Sequence, residues 1–343
     1  MKLLVLGGTQ FLGRHVVEAA LARRFDVTIF TRGRTPVPFG AVVERRAGNR
    51  DPDVAPGIGA LAKGAWDAVI DTSGYLPRCV GRAARLLEER VSHYLFVSSL
   101  SVYADNSAAL QDENARVAEL ADPASEDIDA HYGALKAACE RQILSVFDNR
   151  ATIVRPGLIV GPYDATDRFS YWVARFVHPQ LLGERGSDAV VPAPPSRCVQ
   201  FIDARDLAEW MLDLAAASIS GTFNACSPPG RYTFGLLVDA LSALRRQQRP
   251  DGPVVSPAWI SEATLLSHGV VPWTELPLWL PESDPSTAGF MSFSCGKAMG
   301  HGLRFRELDR TVADTADWLA RRDNSSAWRR VLSAVKEDAL LRA

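Results

Sequence analysis

Cysteine and histidine are sparse in this chain, and those present are far apart. The five cysteines among 343 residues are Cys79, Cys139, Cys198, Cys226 and Cys295, with no Cys-x-x-Cys pair, and the six histidines are equally scattered. Metal sites need clustered ligands, and disulfide frameworks are typical of short secreted chains. The sequence therefore predicts reduced thiols, a cytoplasmic location and no metal site.

Long apolar runs and an excess of charge are missing as well. No segment approaches the roughly 20 apolar residues that a membrane-spanning helix needs. The formal net charge is -2, from 38 basic and 40 acidic residues, and the isoelectric point is near 6.3. Binders of nucleic acids or membrane surfaces usually carry a basic excess. We therefore expect a small-molecule substrate, no nucleic-acid partner and no membrane.

Short apolar runs alternate with helical patterns through the first half of the chain. The candidate strands are 2–7, 26–30, 42–46, 68–71, 94–98 and 152–155, and the candidate helices are 12–23, 77–90 and 132–147. Apolar strands that alternate with amphipathic helices indicate a parallel sheet covered on both faces. Right-handed crossovers then give a doubly wound α/β (Rossmann) fold, with its ligand crevice at the carboxyl ends of the strands.

The pattern changes after Arg155. Residues 161–198 are rich in proline, arginine and aromatics, and 200–203 has the pattern of another short strand. Segment 272–281 contains three prolines and cannot form a regular helix, because proline lacks the N–H donor. It is expected to be an ordered loop that either covers the core or walls a substrate pocket. Residues 307–343 predict two helices, with a break at 323–326 that could cap the second.

A glycine-rich turn follows the first predicted strand, and residues 7–13 read Gly-Gly-Thr-Gln-Phe-Leu-Gly. Glycine permits a tight turn, and a helix N-terminus offers unpaired N–H groups to a pyrophosphate. The usual middle glycine is Gln10 here, which either lengthens the gap to the pyrophosphate or places an amide beside it. A plain strand-to-helix turn is the alternative reading. The predicted cofactor contacts are Gly7, Thr9, Gln10, Phe11, Leu12 and Gly13.

The turn after the second predicted strand bears on the choice of cofactor. NAD enzymes usually place a carboxylate there for the ribose 2′-hydroxyl. This chain has Thr31-Arg32-Gly33-Arg34 instead. A guanidinium suits a 2′-phosphate, although a solvated basic turn is an alternative in so arginine-rich a chain. The sequence favours NADP(H), bound in part by Arg32, and leaves NAD(H) open.

Two further motifs carry candidate catalytic groups. Tyr132 and Lys136 lie four residues apart, hence on one face of a helix, where an ammonium would favour the phenolate and lower the pKa of Tyr132. The strand at 94–98 ends in Ser98, Ser99 and Ser101, whose hydroxyls would face the cofactor crevice. The alternatives are an ordinary surface pair for the first motif and capping for Ser98 and Ser101.

Taken together, these motifs resemble the extended short-chain dehydrogenase/reductases, also called the NAD-dependent epimerase/dehydratase family. The matching patterns are Gly-Gly-Thr-x-Phe-x-Gly, Ser-Ser-x-x-Val-Tyr, Tyr-x-x-x-Lys and Arg-Pro-Gly-x-x-x-Gly-Pro, and segments 201–208 and 294–298 extend the match over nearly the whole chain.

The resemblance implies a role for each matched position. Ser99 would polarise a carbonyl, Tyr132 would be the acid/base, and Lys136 would hold the nicotinamide ribose while tuning Tyr132. Further cofactor contacts would come from Asn49, Thr72, Ser73, Gly74, Pro156 and Leu158. Asn49 stands where many members have an adenine-contacting aspartate, which puts that contact in doubt.

The resemblance also implies how the chain is organised. Residues 1–160 and 199–225 would form a dinucleotide-binding Rossmann domain, and residues 161–198 and 226–343 a smaller, discontinuous substrate-binding domain. A homodimer would be usual for the family.

The reaction is left among three hypotheses. The favoured one is a reductase or dehydrogenase that acts on a secondary alcohol or ketone. The second is an NAD-dependent nucleotide-sugar epimerase, with Arg168, Arg175 and Arg197 as candidate phosphate ligands or structural ion-pair partners. The third is a non-catalytic nucleotide- or RNA-binding relative. Leu100 and Ser101 replace the Asp-Glu pair of sugar dehydratases, which disfavours dehydration. Candidate substrate contacts are Tyr75, Arg168 and Tyr171.

Overall fold

The computed structural model describes residues 1–36, 38–323 and 327–343, and all elements below lie within those ranges. The strands are β1 Lys2–Leu6, β2 Asp26–Thr31, β3 Glu44–Ala47, β4 Trp66–Asp71, β5 Val91–Val97, β6 Ala151–Pro156, β7 Leu158–Val160, β8 Asp188–Pro192, β9 Cys198–Val199, β10 Phe201–Asp203, β11 Gly221–Ala225, β12 Tyr232–Thr233 and β13 Ser256–Ile260. The helices are α1 Phe11–Ala22, α2 Pro77–Leu87, α3 Ile128–Phe147, α4 Ser170–Val177, α5 Ala204–Ala216, α6 Phe234–Gln248, α7 Glu262–Ser267, α8 Gly296–Gly300, α9 Leu308–Leu319 and α10 Ala334–Leu341.

Seven parallel strands form the central sheet, in the order β11-β6-β5-β4-β1-β2-β3. The apolar run of β1 is fully buried because strands flank it on both edges and helices cover both faces: Leu3 lies opposite Val27 on one side and Ala68 on the other. From β1 the chain adds β2 and then β3 on one side of the sheet. It then crosses back and adds β4, β5, β6 and β11 on the other side. This confirms the predicted doubly wound α/β fold and places the switch point between β1 and β4.

Helices pack in pairs on the two faces of the sheet. Helix α1 contacts α5 on one face, and α2 contacts α3 on the other. Their apolar sides bury alanine, valine and leucine against the strands. The segments that follow β1, β2, β4 and β5 line a cleft at the carboxyl edge of the sheet. The fold therefore opens at that edge.

A third apolar cluster lies outside the sheet and is built from α4, α6, α9 and β8 together with the proline-rich segment 272–281. Trp172 and Trp279 are fully buried there, and the Trp172 indole donates to the Pro277 carbonyl at 2.9 Å. The segment is thus an ordered loop that covers this core, while its Trp273 turns towards the cleft described below. The sequence left open whether this loop covers the core or walls a pocket. Trp279 covers the core, and Trp273 lines the cleft.

The C-terminal region contains the two predicted helices, α9 and α10. The predicted break at 323–326 falls largely on residues 324–326, which lie outside the described residues. Ser333 caps α10 instead, because its hydroxyl accepts the Lys336 N–H at 3.2 Å. Within the described ranges, no helix has the length and apolar character that crossing a membrane requires, and no group of three or more metal-ligating side chains forms.

Candidate active site

A cleft of about 1310 Å³ runs along the carboxyl edge of the sheet and crosses the switch point. Most of the residues singled out in the sequence line it: Gly7, Thr9, Gln10, Phe11, Leu12, Gly13, Arg32, Asn49, Thr72, Ser73, Tyr75, Ser99, Tyr132, Lys136, Pro156, Leu158 and Arg168. They come from separate parts of the chain, so the fold brings the predicted cofactor loop and the predicted catalytic groups together in one cavity.

The glycine turn between β1 and α1 is shaped for close backbone contacts. Gly7 has φ 111°, a value that side-chain-bearing residues rarely adopt, and a Cβ there would also lie 2.5 Å from the Thr72 hydroxyl. A Cβ at Gly13 would lie 2.7 Å from the Gly8 nitrogen. Because no side chain caps α1, its first N–H groups are available at the cleft. The turn therefore fits a pyrophosphate.

Gln10 occupies the place of the usual middle glycine in this turn. Its Nε2 donates to the Thr35 hydroxyl at 3.3 Å, across the cleft in the turn that follows β2. The amide is thus directed towards that turn, where Arg32 and Arg34 also line the cleft and are exposed. Neither arginine forms an ion pair with any described residue, so both guanidinium groups are available to a ligand.

A buried ion pair between Arg50 and Asp71 lies at the cleft, and the sequence analysis singled out neither residue. The Arg50 guanidinium makes two hydrogen bonds to the Asp71 carboxylate, at 2.6 and 2.5 Å, and the Tyr94 hydroxyl donates to the same carboxylate at 2.8 Å. Burial alone would raise the pKa of Asp71, but Arg50 and these hydrogen bonds hold it below its ordinary value. The only signal in the sequence was the position of Asp71 at the end of an apolar strand. Beside the pair, Asn49 makes a local turn by accepting the Asp51 N–H.

Helix α3 brings Tyr132 and Lys136 to the cleft. The helix is irregular at His131, with φ -128° and ψ 25°, immediately before Tyr132. Gly133 then lies directly against the Ser101 carbonyl, where a Cβ would overlap the oxygen. One turn further on, the Lys136 ammonium donates to the carbonyls of Gly74 and Val97, at 2.7 and 2.6 Å. The helix is therefore locked to the ends of β4 and β5.

Ser99 stands at the end of β5, beside Tyr132. Its hydroxyl oxygen accepts the Ser101 N–H at 3.1 Å and caps the short 3-10 turn at 100–102. Capping, proposed for Ser98 and Ser101, is thus performed by Ser99, while the Ser98 hydroxyl is buried without a hydrogen-bond partner. Because the Ser99 oxygen acts as the acceptor in this cap, its O–H can donate towards Tyr132 or towards a substrate oxygen.

The electrostatics of the Tyr–Lys pair differ from the expectation. Burial raises the pKa of Tyr132, an effect that the adjacent Ser99 hydroxyl partly offsets, and burial lowers the pKa of Lys136 to about 8. The Lys136 ammonium is held by two carbonyls and lies 4.3 Å from the centre of the Phe96 ring. The sequence predicted that it would lower the pKa of Tyr132, and that prediction is wrong because burial raises this pKa. The phenol is therefore protonated at neutral pH, which suits a proton donor.

Some predicted residues lie elsewhere. Tyr171 is fully buried in α4, with its ring 5.0 Å from that of Trp172, so the structure does not bring it to the cleft. Gly74 contributes its carbonyl to Lys136 but does not line the cavity. Arg175 pairs with Glu337 at 2.9 Å and Arg197 with Glu262 at 3.1 Å, which identifies both arginines as structural ion-pair partners. Of the three arginines considered as phosphate ligands, only Arg168 lines the cleft.

The cleft is also lined by residues that the sequence analysis did not single out as site residues: Trp273, Phe290, Trp318, Arg329 and Arg330. They come from the proline-rich loop, from the region before α8 and from the C-terminal region. Trp273 has φ 62°, an unfavourable value for so bulky a residue, and such strain occurs preferentially at functional sites.

The fold is of the doubly wound α/β class, in which dinucleotides bind at the switch point of the sheet, and the candidate active site lies there. The model of the NAD dependent epimerase/dehydratase family matches residues 3–226, and the chain belongs to this family. The protein is therefore an enzyme of a class that uses a nicotinamide cofactor. No curated protein matches the sequence.

Solved structures share the whole architecture. A candidate epimerase from Burkholderia cenocepacia J2315 is 22% identical, with a TM-score of 0.63 over 94% of this chain and 98% of that one. UDP-glucuronic acid 4-epimerase from Bacillus cereus, in complex with NAD, is 13% identical, with a TM-score of 0.63 over 96% and 100%. The human epimerase family protein SDR39U1, isoform 2, with NADPH, is 16% identical, with a TM-score of 0.58 over 92% and 99%. At these identities the likeness shows the fold.

Proposed function

We propose that the protein is an NAD(P)-dependent oxidoreductase that acts on a secondary alcohol or ketone carbon of a small molecule. The observation that carries this proposal is the presence of Tyr132, Ser99 and Lys136 in the same cleft as the glycine turn. The fit of that turn to a dinucleotide rests on Gly13, where any side chain would collide with the Gly8 backbone. The nicotinamide, when bound, supplies or accepts the hydride.

Each catalytic side chain then has one task. Tyr132 transfers the proton to or from the substrate oxygen, and Ser99 donates a hydrogen bond that stabilises negative charge on that oxygen. Lys136 makes two of its three possible hydrogen bonds to Gly74 and Val97, which leaves one N–H for the ribose of the cofactor. Burial raises the pKa of Tyr132, so its phenol carries the proton that carbonyl reduction by a bound reduced nicotinamide would require.

We propose NADP(H) as the preferred cofactor. Arg32 and Arg34 line the adenosine end of the cleft without an acidic partner among the described residues, and each presents a fork of N–H donors suited to a phosphate. An acid that would repel a 2′-phosphate is absent from the turn at 31–35.

Arg32→Ala is expected to weaken NADPH binding by about tenfold or more, the effect of losing one charge-assisted contact, and to change NADH binding far less. Fluorescence titration with both nucleotides measures the difference. Arg82→Ala, which removes an exposed arginine from α2, is the control and should leave both affinities unchanged. Equal losses for NADPH and NADH in Arg32→Ala would overturn the proposed preference.

The nucleotide-sugar epimerase is the second candidate, and its support is the family itself. Against it, Arg175 and Arg197 are engaged with acids, so a nucleoside diphosphate would lack two of its expected partners. Tightly retained, non-exchanging NAD and turnover without added cofactor would favour the epimerase. Failure to bind either dinucleotide would favour the non-catalytic, RNA- or nucleotide-binding alternative.

We also propose the domain division inferred from the sequence. Its support is the grouping of apolar residues, since one cluster is drawn mainly from 158–199 and 232–341 and two others surround the central sheet. The homodimer and the cytoplasmic location stay predictions.

A further inference from the structure

The cleft is strongly basic in a protein whose net charge is -2. Among the described residues that line it, eight are lysine or arginine and one, Asp51, is acidic. Asp51 is itself bonded to Arg78. An excess of positive charge in a concave site favours anionic ligands over neutral ones.

Several of these cations already have partners or a task. Arg14 pairs with Glu18, Arg50 pairs with Asp71, and Lys136 is held by two carbonyls. Arg32 and Arg34 lie in the turn after β2, where the adenosine of the cofactor is expected. The remaining group, Arg168, Arg329 and Arg330, also lines the cleft and lies in segments that carry no predicted cofactor contact.

Arg168 and Arg330 are held side by side. The Arg168 Nε donates to the Thr166 hydroxyl at 3.1 Å, and the Arg330 Nη1 donates to the carbonyl of the same residue at 3.2 Å. The Arg330 Nε is buried and has no partner. Two guanidinium groups anchored on one residue repel each other, and burial together with this repulsion lowers the pKa of Arg168, although Asp164 partly offsets the effect.

Among the described residues, no acid is bonded directly to the Arg168 or Arg330 guanidinium. Asp167 is bonded to Arg322 at 2.6 Å and to the Arg329 backbone at 2.8 Å. Asp164 attracts Arg168 electrostatically, but one of its carboxylate oxygens accepts the Thr166 N–H and the other is buried without a partner. Both guanidinium groups therefore keep N–H donors that a ligand anion can accept.

Two aromatic rings line the cleft together with Arg168. The Arg168 guanidinium lies 5.8 Å from the centre of the Trp273 ring, and Trp273 meets the Phe290 ring edge-to-face at 5.7 Å. Tyr132 and Ser99 line the same cleft as Arg168. A group bound to Arg168 would therefore share this cavity with the reacting carbon.

We propose that Arg168 and Arg330 bind an anionic group of the substrate, a carboxylate or a phosphate, while Trp273 and Phe290 pack against its apolar or aromatic body. The inference rests on the proposed function, because it describes the substrate of that same site. It restricts the substrate to a carbonyl or alcohol compound whose charge lies near the reacting oxygen, and it gives the C-terminal region a part in the active site through Arg330.

Direct binding tests this subsite without turnover. Benzoate, its neutral isostere benzamide, and phenyl phosphate are titrated calorimetrically into the full-length protein, with and without saturating NADP+. Benzoate or phenyl phosphate is expected to bind about tenfold or more tightly than benzamide, and the tighter of the two identifies the anion as carboxylate or phosphate. Arg168→Met and Arg330→Met should each weaken anion binding by about tenfold.

Three control variants establish whether the anion binds at Arg168 and Arg330 or elsewhere on the protein. Arg321→Met removes a nearby exposed arginine outside the cleft and should leave anion binding unchanged. Arg82→Met removes an exposed arginine of α2 that does not line the cleft, and it should also leave anion binding unchanged. Arg168→Lys keeps the positive charge and should retain part of the affinity for the anion. It replaces Arg168→Met in the comparison if Arg168→Met does not fold.

Equal affinity for benzoate and benzamide, no binding of either anion, or full affinity in both arginine-to-methionine variants would overturn the proposed subsite. If the wild-type protein binds the anions as expected but does not bind NADPH, the subsite stands and the proposed oxidoreductase function fails.

Discussion

Tyr132→Phe is expected to lower turnover by about 10²- to 10⁴-fold while NADPH affinity stays within a few-fold. The substitution removes only the phenolic oxygen, so the proton has no donor, whereas the ring still fills its place beside Tyr75, 6.5 Å away between ring centres. The measurement is NADPH consumption with a ketone that the wild-type enzyme reduces, together with a nucleotide titration of both proteins.

Tyr232→Phe is the matched control for this loss. Tyr232 is buried outside the cleft, stacked on Phe201 at 4.4 Å between ring centres, and its hydroxyl accepts a hydrogen bond from Arg231. The same chemical change there should leave turnover close to wild type. Unchanged turnover in Tyr132→Phe would remove Tyr132 from the role of acid/base.

Gly133→Ala is expected to reduce turnover by about 10²-fold, with a loss of stability of about 1–3 kcal/mol. The added Cβ would overlap the Ser101 carbonyl, a backbone atom that cannot rotate away. Helix α3 would have to move off the loop that carries Ser99, which separates Tyr132 from the position where the substrate oxygen is polarised. Turnover and thermal unfolding of the same preparation measure both effects.

Gly300→Ala serves as the comparison, because a Cβ at that glycine meets no atom within 4 Å. It should unfold and turn over like the wild-type protein. Wild-type turnover in Gly133→Ala would show that the contact between α3 and the Ser99 loop does not position the catalytic groups.

Local sequence patterns predicted the first half of the molecule well. The strand at 26–30 is β2 Asp26–Thr31 and the helix at 77–90 is α2 Pro77–Leu87. A strand buried on both faces leaves a short apolar run, and a helix that packs one side against the sheet leaves an apolar period. The glycine turn and the Tyr132–Lys136 spacing were also recognisable in the sequence, because each motif is short and its geometry is set within a few residues.

The substrate end of the cleft could not be predicted in this way. Arg330 and Trp273 reach Arg168 from 162 and 105 residues away in the chain, and no local period records such contacts. Asp164 and Asp167 precede Arg168 in the sequence, whereas residues 169–183 around Arg175 contain no acid. Only the fold shows that Glu337, distant in the sequence, neutralises Arg175. Tyr171 was expected at the substrate, but α4 is buried on every side.

The charge state of the catalytic pair depends on burial rather than on spacing. The four-residue spacing of Tyr132 and Lys136 predicted a lowered tyrosine pKa, whereas desolvation raises the pKa of Tyr132 and lowers that of Lys136. Burial comes from the sheet ends and from Tyr75, which the motif does not contain. The catalytic roles of the two groups stay predictions, and the predicted direction of the shift in the pKa of Tyr132 is wrong.

Dinucleotide binding is tested most directly by a fluorescence titration of the purified protein, stripped of bound nucleotide, with NADPH and with NADH. We expect saturable, readily exchanging binding in the cleft, tighter for NADPH than for NADH. Binding of neither nucleotide would contradict the proposed function, because the glycine turn, the arginines after β2 and the Tyr–Lys pair would then have no common ligand.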